Sequence, residues 1–177
     1  MLVKQKKDPR TWVYFLLPGL VVFLFVCFFS VSLQRLSYPY EIEWIEGGVL
    51  HQVTRVLDGL PLYTQPSMDF IPALYTPFYY YISAFFTGIL GWGFFPLRLV
   101  SFCASIGVMC SIGWVVYEYS RNRLFAFVGA GFIVAMYWFT DFWFDVARVD
   151  SLWTFFLSVP LACLLVYRIR PNLQLLV

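Results

Sequence analysis

Four long apolar stretches are the strongest pattern in the chain. The first covers residues 12–33, which are 22 residues without a charge, and two others cover residues 97–117 and 124–143. The fourth, residues 151–167, is 17 residues long and contains Pro160. Because about 20 apolar residues in a helix cross the hydrocarbon core of a bilayer, all four are predicted to span the membrane. A cleaved signal peptide is the rival interpretation of the first stretch, although its core is longer than the roughly 7 to 15 residues of such signals.

A fifth apolar segment, residues 74–89, is too short to be assigned by length alone. As a helix its 16 residues extend about 24 Å, less than the thickness of the hydrocarbon core. Basic residues prefer the cytoplasmic side, and all three basic clusters fall there only if this segment lies in the outer interface rather than across the membrane. We therefore predict an interfacial segment within a large extracytoplasmic loop, residues 34–96. The basic clusters are Lys4, Lys6, Lys7 and Arg10, then Arg121 and Arg123, then Arg168 and Arg170.

Within this loop, residues 46–60 have the period of an amphipathic helix, which is expected to lie on the membrane surface. Glu46 projects onto the apolar side, so its carboxylate is predicted to be buried, with a raised pKa that suits a general base. One alternative is that Glu43 and Glu46 only favour the positive N-terminus of the helix. Another is that Gly47 and Gly48 delay the start of the helix. The apolar positions are Val49, Leu50, Val53, Val56, Leu57 and Leu60.

A second acidic cluster lies between the third and fourth predicted spans. It contains Asp141, Asp145 and Asp150 together with Arg148, and the predicted topology places it on the same, extracytoplasmic side as the first cluster. Asp145 and Arg148 are three residues apart and would pair in a helical turn. Asp150 alternatively caps the helix that follows it. Arg98, at the outer end of the second span, is either an interfacial residue or a binder of an anion.

The composition agrees with a membrane protein. Of the 177 residues, 61% are hydrophobic and 12% are charged, about half of the usual charged share. These fractions exclude a soluble globular domain and a disordered chain. The net charge of +2 is not typical of a nucleic-acid-binding protein, in which basic residues crowd one face. The four cysteines lie apart in apolar stretches, which favours neither a disulfide framework nor a zinc site.

Prolines and tyrosines give the outer loop a stiff, aromatic character. The prolines are at positions 61, 66, 72 and 77, and the tyrosines are Tyr63, Tyr75, Tyr79, Tyr80 and Tyr81. An aromatic face with a hydrogen-bonding tip suits a sugar or a lipid-linked headgroup. The same residues equally suit the aromatic belt found at membrane interfaces, and the sequence leaves both interpretations open.

An ordered set of short motifs resembles the first part of the GT-C membrane glycosyltransferases. The likeness is closest to bacterial members related to protein mannosyltransferases and aminoarabinose transferases, and it covers about residues 12–168. The motifs are Glu43-Trp44-Ile45-Glu46-Gly47, Leu57-Asp58-Gly59, Pro61-Leu62-Tyr63, Tyr75-Thr76-Pro77, Phe95-Pro96-Leu97-Arg98 and Ala147-Arg148-Val149-Asp150.

The resemblance implies transfer of a sugar from a polyprenyl-phosphate-linked donor on the extracytoplasmic face of the plasma (inner) membrane. In that family an acid of the first outer loop acts as the catalytic base or binds a metal. Glu43 and Glu46 both match this position, so which of them acts stays open, as does the need for a divalent cation. Asp150 is the third expected catalytic residue. The residues expected to bind substrate are Arg98, Arg148, Asp145, Tyr63 and Tyr75.

The resemblance also bears on domain organisation. Members of the family usually carry many more helices, so residues 1–177 are expected to form one transmembrane domain, the N-terminal part of a larger module, with residues 1–11 in the cytoplasm. Lipid is the expected surrounding partner, no nucleic acid is expected, and the acceptor stays open. The competing interpretation is a non-enzymatic polytopic protein, such as part of a transporter or an assembly subunit. Transporters, however, place ionisable residues near mid-membrane, whereas these charges collect at the predicted outer surface.

Overall fold

The computed structural model describes residues 11–68, 70–72 and 75–171, and this part of the chain is all-helical without a strand. The predicted all-α class is therefore confirmed. The predicted cytoplasmic cluster of Lys4, Lys6, Lys7 and Arg10 lies outside the described residues, as does Leu74, the first residue of the short apolar segment. The helices are α1 Thr11–Leu36, α2 Glu46–Leu57, α3 Phe78–Leu90, α4 Phe94–Ser120, α5 Arg123–Met136 and α6 Val149–Ile169.

Three of these helices are long and apolar enough to cross a membrane. They are α1, α4 and α6, with apolar segments of 22, 27 and 21 residues. The predicted spans 12–33, 97–117 and 151–167 each lie inside one of them. At 1.5 Å per residue, even the shortest extends about 32 Å, which matches the hydrocarbon core. Helices of this length and composition indicate a multi-pass membrane protein.

The third predicted span, residues 124–143, differs from the structure. Helix α5 has 14 residues and ends at Met136, so it extends only about 21 Å. A series of turns follows, in which Asp141 and Phe142 have positive φ angles of 48° and 61°. Residues in this left-handed region cannot continue an α-helix. The Thr140 hydroxyl lies 3.2 Å from the Met136 carbonyl, which satisfies one of the acceptors that the end of the helix leaves open.

The long helices pack around α4, which contacts α6, α5 and, less extensively, α1. Close approach depends on glycine at two places. A Cβ atom at Gly131 of α5 would lie 2.4 Å from Cγ1 of Val21 in α1, and a Cβ atom at Gly107 of α4 would lie 2.3 Å from Cε2 of Phe155 in α6. Both glycines therefore let a larger side chain pack directly against the helix backbone.

Helices α2 and α3 lie together at one end of this bundle. The apolar side of α2 packs against α3 and α4 rather than on a membrane surface, because Val49, Leu50 and Val53 belong to the same buried cluster as residues of both helices. The helix begins at Glu46, so the two glycines that follow do not delay it. Helix α3 has 13 residues, too few to cross the hydrocarbon core.

The end of α1 and the beginnings of α4 and α6 meet where α2 packs. Arg98, in the second turn of α4, donates to the backbone carbonyl of Arg35 in the last turn of α1. We call this part of the bundle the cluster end, because both acidic clusters lie in it. At the far end of α4, Glu118 forms ion pairs with Arg121 at 2.7 Å and with Arg170 at 3.0 Å, and these join α4 to the end of α6.

Candidate functional site

An ion pair between Glu46 and Arg98 stands at the centre of the cluster end. Nε of Arg98 donates to Oε1 of Glu46 at 2.9 Å, and Nη2 donates to Oε2 at 2.7 Å. Both side chains are 0% exposed. Two parallel bonds between a guanidinium and a carboxylate fix the relative orientation of their planes as well as the distance. The pair therefore fixes the first turn of α2 against α4.

The remaining hydrogen-bonding positions of this pair are also used. Nη1 of Arg98 donates to the carbonyls of Arg35 and Tyr38 at 2.9 and 2.6 Å, and Nη2 donates to that of Tyr40 at 2.7 Å. On the Glu46 side, Oε1 accepts from the backbone N–H of Ala147 and Oε2 from that of Ile42, both at 2.7 Å. All five donors of the guanidinium are thus satisfied, and each carboxylate oxygen accepts two bonds. A buried pair requires such satisfaction to offset the loss of hydration.

These contacts decide the protonation of Glu46. Burial by itself raises the pKa of this carboxyl, but the hydrogen bonds from Arg98, Ala147 and Ile42 and the charge of Arg98 hold the pKa below its ordinary value. The expected rise in the pKa of Glu46 is therefore wrong. The sequence pattern places the carboxylate on the buried side correctly, but it cannot show that a guanidinium from another helix lies against it.

A second ion-paired group surrounds Arg148, just before α6. Its Nη1 lies 3.4 Å from Oε1 of Glu43, its Nε donates to Oδ2 of Asp150 at 2.8 Å, and its guanidinium carbon lies 3.9 Å from the ring centre of Trp143. The side chains of Glu43 and Asp150 are 16% and 47% exposed. One arginine thus joins the two acidic clusters, which are far apart in the sequence, and the carboxylates that it binds, those of Glu43 and Asp150, are partly exposed.

Asp145 belongs to a third group, formed with α1. Its Oδ1 accepts from the Tyr137 hydroxyl at 2.8 Å and from Nη1 of Arg35 at 3.3 Å. The predicted pair between Asp145 and Arg148 is therefore wrong, because residues 146–148 are not helical and the two side chains take different partners. Burial raises the pKa of Asp145, although the Tyr137 hydrogen bond and the Arg35 charge act in the opposite direction.

Serines of the neighbouring helices fix the backbone between α5 and α6. In α4, the Ser101 hydroxyl donates to the Arg148 carbonyl at 3.1 Å, and the Ser105 hydroxyl donates to the Phe144 carbonyl at 2.7 Å. In α6, the Ser151 hydroxyl lies 3.2 Å from the same Phe144 carbonyl. The Phe144 carbonyl lies in the turns between α5 and α6, so the two serines supply a partner that secondary structure would otherwise provide. These hydrogen bonds attach the loop that carries Arg148 to α4 and α6.

A cavity of about 220 Å³ opens beside Asp150, between α4, α5 and α6. Most of its wall is apolar, from Val108, Ile133, Trp143 and Phe144, and Asp150 is its one charged lining residue among those the structure describes. Ligand sites commonly combine an apolar wall with a few polar groups of this kind. The cavity therefore provides space for an apolar group directly beside the group of charges around Arg148.

Three of the predicted residues lie apart from these charges. The Tyr63 hydroxyl donates to the backbone carbonyl of Tyr75, so these two tyrosines bind each other. Asp141 is exposed within the turns that follow α5. Among the contacts of the described residues, none joins Tyr63, Tyr75 or Asp141 to Glu43, Arg148 or Asp150.

Three contributors were not predicted: Arg35, Tyr137 and Trp143. Arg35 had a signal in the sequence, because a basic residue at the outer end of a first span breaks the charge preference that the rest of the chain follows. Tyr137 and Trp143 lie in the aromatic stretch that was assigned from the sequence to the third membrane span. Nothing in their spacing distinguishes them from their neighbours.

Within the described ranges, no three His, Cys, Asp or Glu side chains come together closely enough to hold a metal ion. Comparison of the chain with known protein families, with curated proteins and with solved structures finds no match.

Proposed function

We propose that the chain is part of an integral membrane glycosyltransferase, which moves a sugar from a polyprenyl-phosphate-linked donor to an acceptor on the extracytoplasmic face of the plasma (inner) membrane. One observation carries the proposal. Arg148 binds two partly exposed carboxylates, Glu43 from the segment before α2 and Asp150 from the first turn of α6, at the edge of an apolar cavity. A lipid-linked sugar needs this combination of an apolar binding surface and a charged reaction site.

In this proposal Glu43 is the catalytic base. Its side chain is partly exposed, and apart from Arg148 its one described partner is the backbone N–H of Ile45, at 3.2 Å from Oε2. Glu46 is a positioning residue, since its carboxylate is fully buried and its acceptor sites are filled. Arg98 has the same positioning role from the side of α4, because its five donors are already committed.

The reaction then follows from this arrangement. Glu43 takes the proton of an acceptor hydroxyl, the hydroxyl oxygen bonds to the anomeric carbon, and the bond from that carbon to the lipid phosphate breaks with inversion. The electron pair of the broken bond leaves on the phosphate. Arg148 lies where it can stabilise that charge, and Asp150 keeps its guanidinium oriented. The hydrocarbon end of the donor occupies the cavity beside Asp150.

The test is consumption of donor by membranes that contain the chain. A panel of hexosyl and pentosyl polyprenyl phosphates is added, and released polyprenyl phosphate is measured by mass spectrometry. We expect one donor to be consumed, Glu43→Gln to lower the rate by about 100-fold or more, and the exposed Asp58→Asn control to leave it unchanged. Full activity in Glu43→Gln and Asp150→Asn would remove the site assignment. Because the chain is proposed to be part of a larger enzyme, and an isolated part can be inactive, the assay is also run on the larger protein that contains it. If that protein consumes none of the donors, the non-enzymatic alternative is favoured.

Sidedness is tested separately by cysteine labelling with a membrane-impermeant reagent, after the four native cysteines have been replaced. Single cysteines at Glu41, Asp141 and Asn122 suit this purpose because all three positions are exposed. We expect labelling from outside at positions 41 and 141 but not at 122. Labelling at position 122 and not at position 141 would place Asp141 and its part of the cluster end on the cytoplasmic side. That result is incompatible with an extracytoplasmic reaction.

A further inference from the structure

Helix α3 carries polar groups on its buried side and apolar residues on its exposed side. The residues on its protein-facing side are Tyr79, Tyr80, Ser83, Ala84 and Thr87, of which four carry hydroxyl groups. Its exposed side is apolar, with Phe78, Tyr81, Phe85 and Ile89 at 50%, 57%, 65% and 65% exposure. These four residues follow one another at spacings of three and four, so they form a single stripe along the helix. A surface helix in water has the opposite arrangement.

Helix α2, which packs against α3, has the ordinary arrangement. Its buried side carries Val49, Leu50 and Val53, and its exposed side includes His51. The two neighbouring helices therefore face different solvents. The polar surface of α2 suits water, and the apolar stripe of α3 suits hydrocarbon, where a patch of this kind is not a liability. The exposed side of α3 thus marks the direction in which the membrane lies.

A groove of about 290 Å³ runs between α3, α4 and α6. Ile82 and Phe86 form its α3 wall, Val100 and Cys103 its α4 wall, and Leu152 and Phe155 its α6 wall. Every side chain that lines it is apolar or a cysteine. Since Ile82 and Phe86 are the helical neighbours of the exposed Phe85, the groove adjoins the stripe that faces hydrocarbon.

Glycine contributes to the shape of this groove. The ring of Phe155 lies so close to α4 that any side chain at Gly107 would collide with it. The ring therefore packs against bare backbone and forms one wall of the groove.

We propose that this groove binds one hydrocarbon chain of a membrane lipid, which enters from the side of α3 that faces the bilayer. The chain packs between Phe86 and Phe155 and covers Cys103, which is otherwise exposed. Water cannot fill the groove favourably, because a buried water needs two to four polar partners and the lining offers almost none. The proposal is independent of the glycosyl transfer proposed above, and it stands or falls by lipid binding alone.

Photo-crosslinking of lipid tests the proposal directly. The 177-residue chain is reconstituted in phosphatidylcholine vesicles that contain a small fraction of phosphatidylcholine with a diazirine on one acyl chain. After illumination, the modified residues are mapped by mass spectrometry. We expect cross-links concentrated at Ile82, Phe86 and Phe155 rather than spread over the exposed faces of the other helices.

Two exposed cysteines of α4 provide a matched pair of variants. Cys103 lines the groove, and Cys110 lies on the same helix outside the groove lining. Cys103→Phe should reduce cross-links in the groove by about tenfold, which corresponds to the loss of about two lipid methylene groups from the groove. Cys110→Phe should not change the cross-links. Cys103→Leu is the milder substitution if the first variant fails to insert, and it should give a smaller loss in the same direction.

Two results would overturn the proposal. Cross-links spread evenly over the exposed faces of α1 and α6 and unaffected by Cys103→Phe would mean that lipid contacts the groove only as part of the general annulus. Cross-links at Phe85 and Ile89 without any at Phe86 and Phe155 would mean that a second copy of the chain, and not lipid, covers the groove.

Discussion

Glu46 and Arg98 are 52 residues apart in the sequence, yet their side chains exchange two hydrogen bonds, of 2.9 and 2.7 Å, without any exposure to solvent. The pair holds the first turn of α2 on α4, and through Ala147 it also holds the loop before α6. This one ion pair therefore holds together the first turn of α2, helix α4 and the loop before α6, which carry the candidate site. The geometry of the accessible charges around Arg148 depends on a pair that does not itself reach the surface.

Loss of either partner of this pair should strongly destabilise the protein. In Glu46→Gln, the amide group would direct N–H donors at the N–H groups of Arg98, Ile42 or Ala147, and the Arg98 charge would remain buried without compensation. Removal of one member of a buried pair costs about 3 to 5 kcal/mol. We expect a loss of that size for Glu46→Gln and for Arg98→Gln, measured by thermal or denaturant unfolding in detergent micelles.

The double variant distinguishes a coupled pair from two separate effects. Glu46→Gln combined with Arg98→Gln should cost clearly less than the sum of the two single losses, since the second substitution removes the charge that the first leaves unpaired. Asp58→Asn, at an exposed position after α2, is the control and should change stability by less than about 0.5 kcal/mol. Additive losses would show that the two side chains act separately.

Acidification should reveal opposite titrations of two buried carboxyls. Burial raises the pKa of Glu46, but its hydrogen bonds outweigh this and hold it below the ordinary 4.5, so the unfolded chain binds that proton more tightly and acid destabilises the fold. The pKa of Asp145 is raised above 3.8 by burial, so the folded chain binds its proton more tightly and acid has the reverse effect. Asp145→Asn should therefore lose stability more steeply than the wild type as the pH falls from about 6 to about 4. The midpoints of unfolding of both proteins, measured across this pH range, report the difference. A shallower loss of stability in the variant would contradict the raised pKa of Asp145.

The contact between α1 and α5 should not tolerate a side chain at Gly131. An alanine there would place its Cβ atom 2.4 Å from Cγ1 of Val21, a β-branched residue with little freedom to move. Overpacking of this kind costs about 1 to 3 kcal/mol. Gly19→Ala is the matched substitution in α1, because nothing lies within 4 Å of a Cβ atom at Gly19. Unfolding of the purified variants should show a loss for Gly131→Ala only, and equal stability of the two would contradict the packing described here.

Trp143 should contribute to the placement of Arg148. The guanidinium lies 3.9 Å from the ring centre, a distance at which a cation on an aromatic face gains about 0.5 to 2 kcal/mol. Trp143→Leu should lose that amount of stability and lower the proposed donor consumption, while Trp138→Leu, at a side chain that is 60% exposed, should do neither. If Trp143→Leu matched the wild type in both measurements, Arg148 would be held by its carboxylates alone.

Length and hydropathy were sufficient to predict the long helices. The segments around α1, α4 and α6 follow from the run lengths, because crossing the hydrocarbon core requires about 20 apolar residues and the sequence supplies them without interruption. The same rule fails for residues 124–143. Its last third is aromatic but also contains Thr140 and Asp141, and the chain turns there with Asp141 and Phe142 in the left-handed region and a hydrogen bond between Tyr137 and Asp145. Hydropathy contains no information on these tertiary contacts.

The candidate site was only partly predictable for a related reason. Helical periodicity correctly places Glu46 among buried residues, and the two acidic clusters do meet in space. The partners of the charges were not predictable, because Arg35, Arg98 and Arg148 come from three separate elements and each could have paired with several acids. Local spacing suggested the pair of Asp145 and Arg148, whereas Asp145 pairs with the distant Arg35 and Arg148 pairs with Asp150 and with the distant Glu43.

The bond from the Ala147 N–H to Glu46 joins residues that are 101 positions apart. Because synthesis proceeds from the N-terminus, Glu46 and Arg98 both leave the ribosome well before Ala147 exists. An ion pair formed before that point has one acceptor position unfilled, while α5 is inserted and the chain turns back. The last hydrogen bond to the Glu46 carboxylate thus forms late in biogenesis. We expect the newly made chain to be most vulnerable to quality-control proteases before that bond has formed.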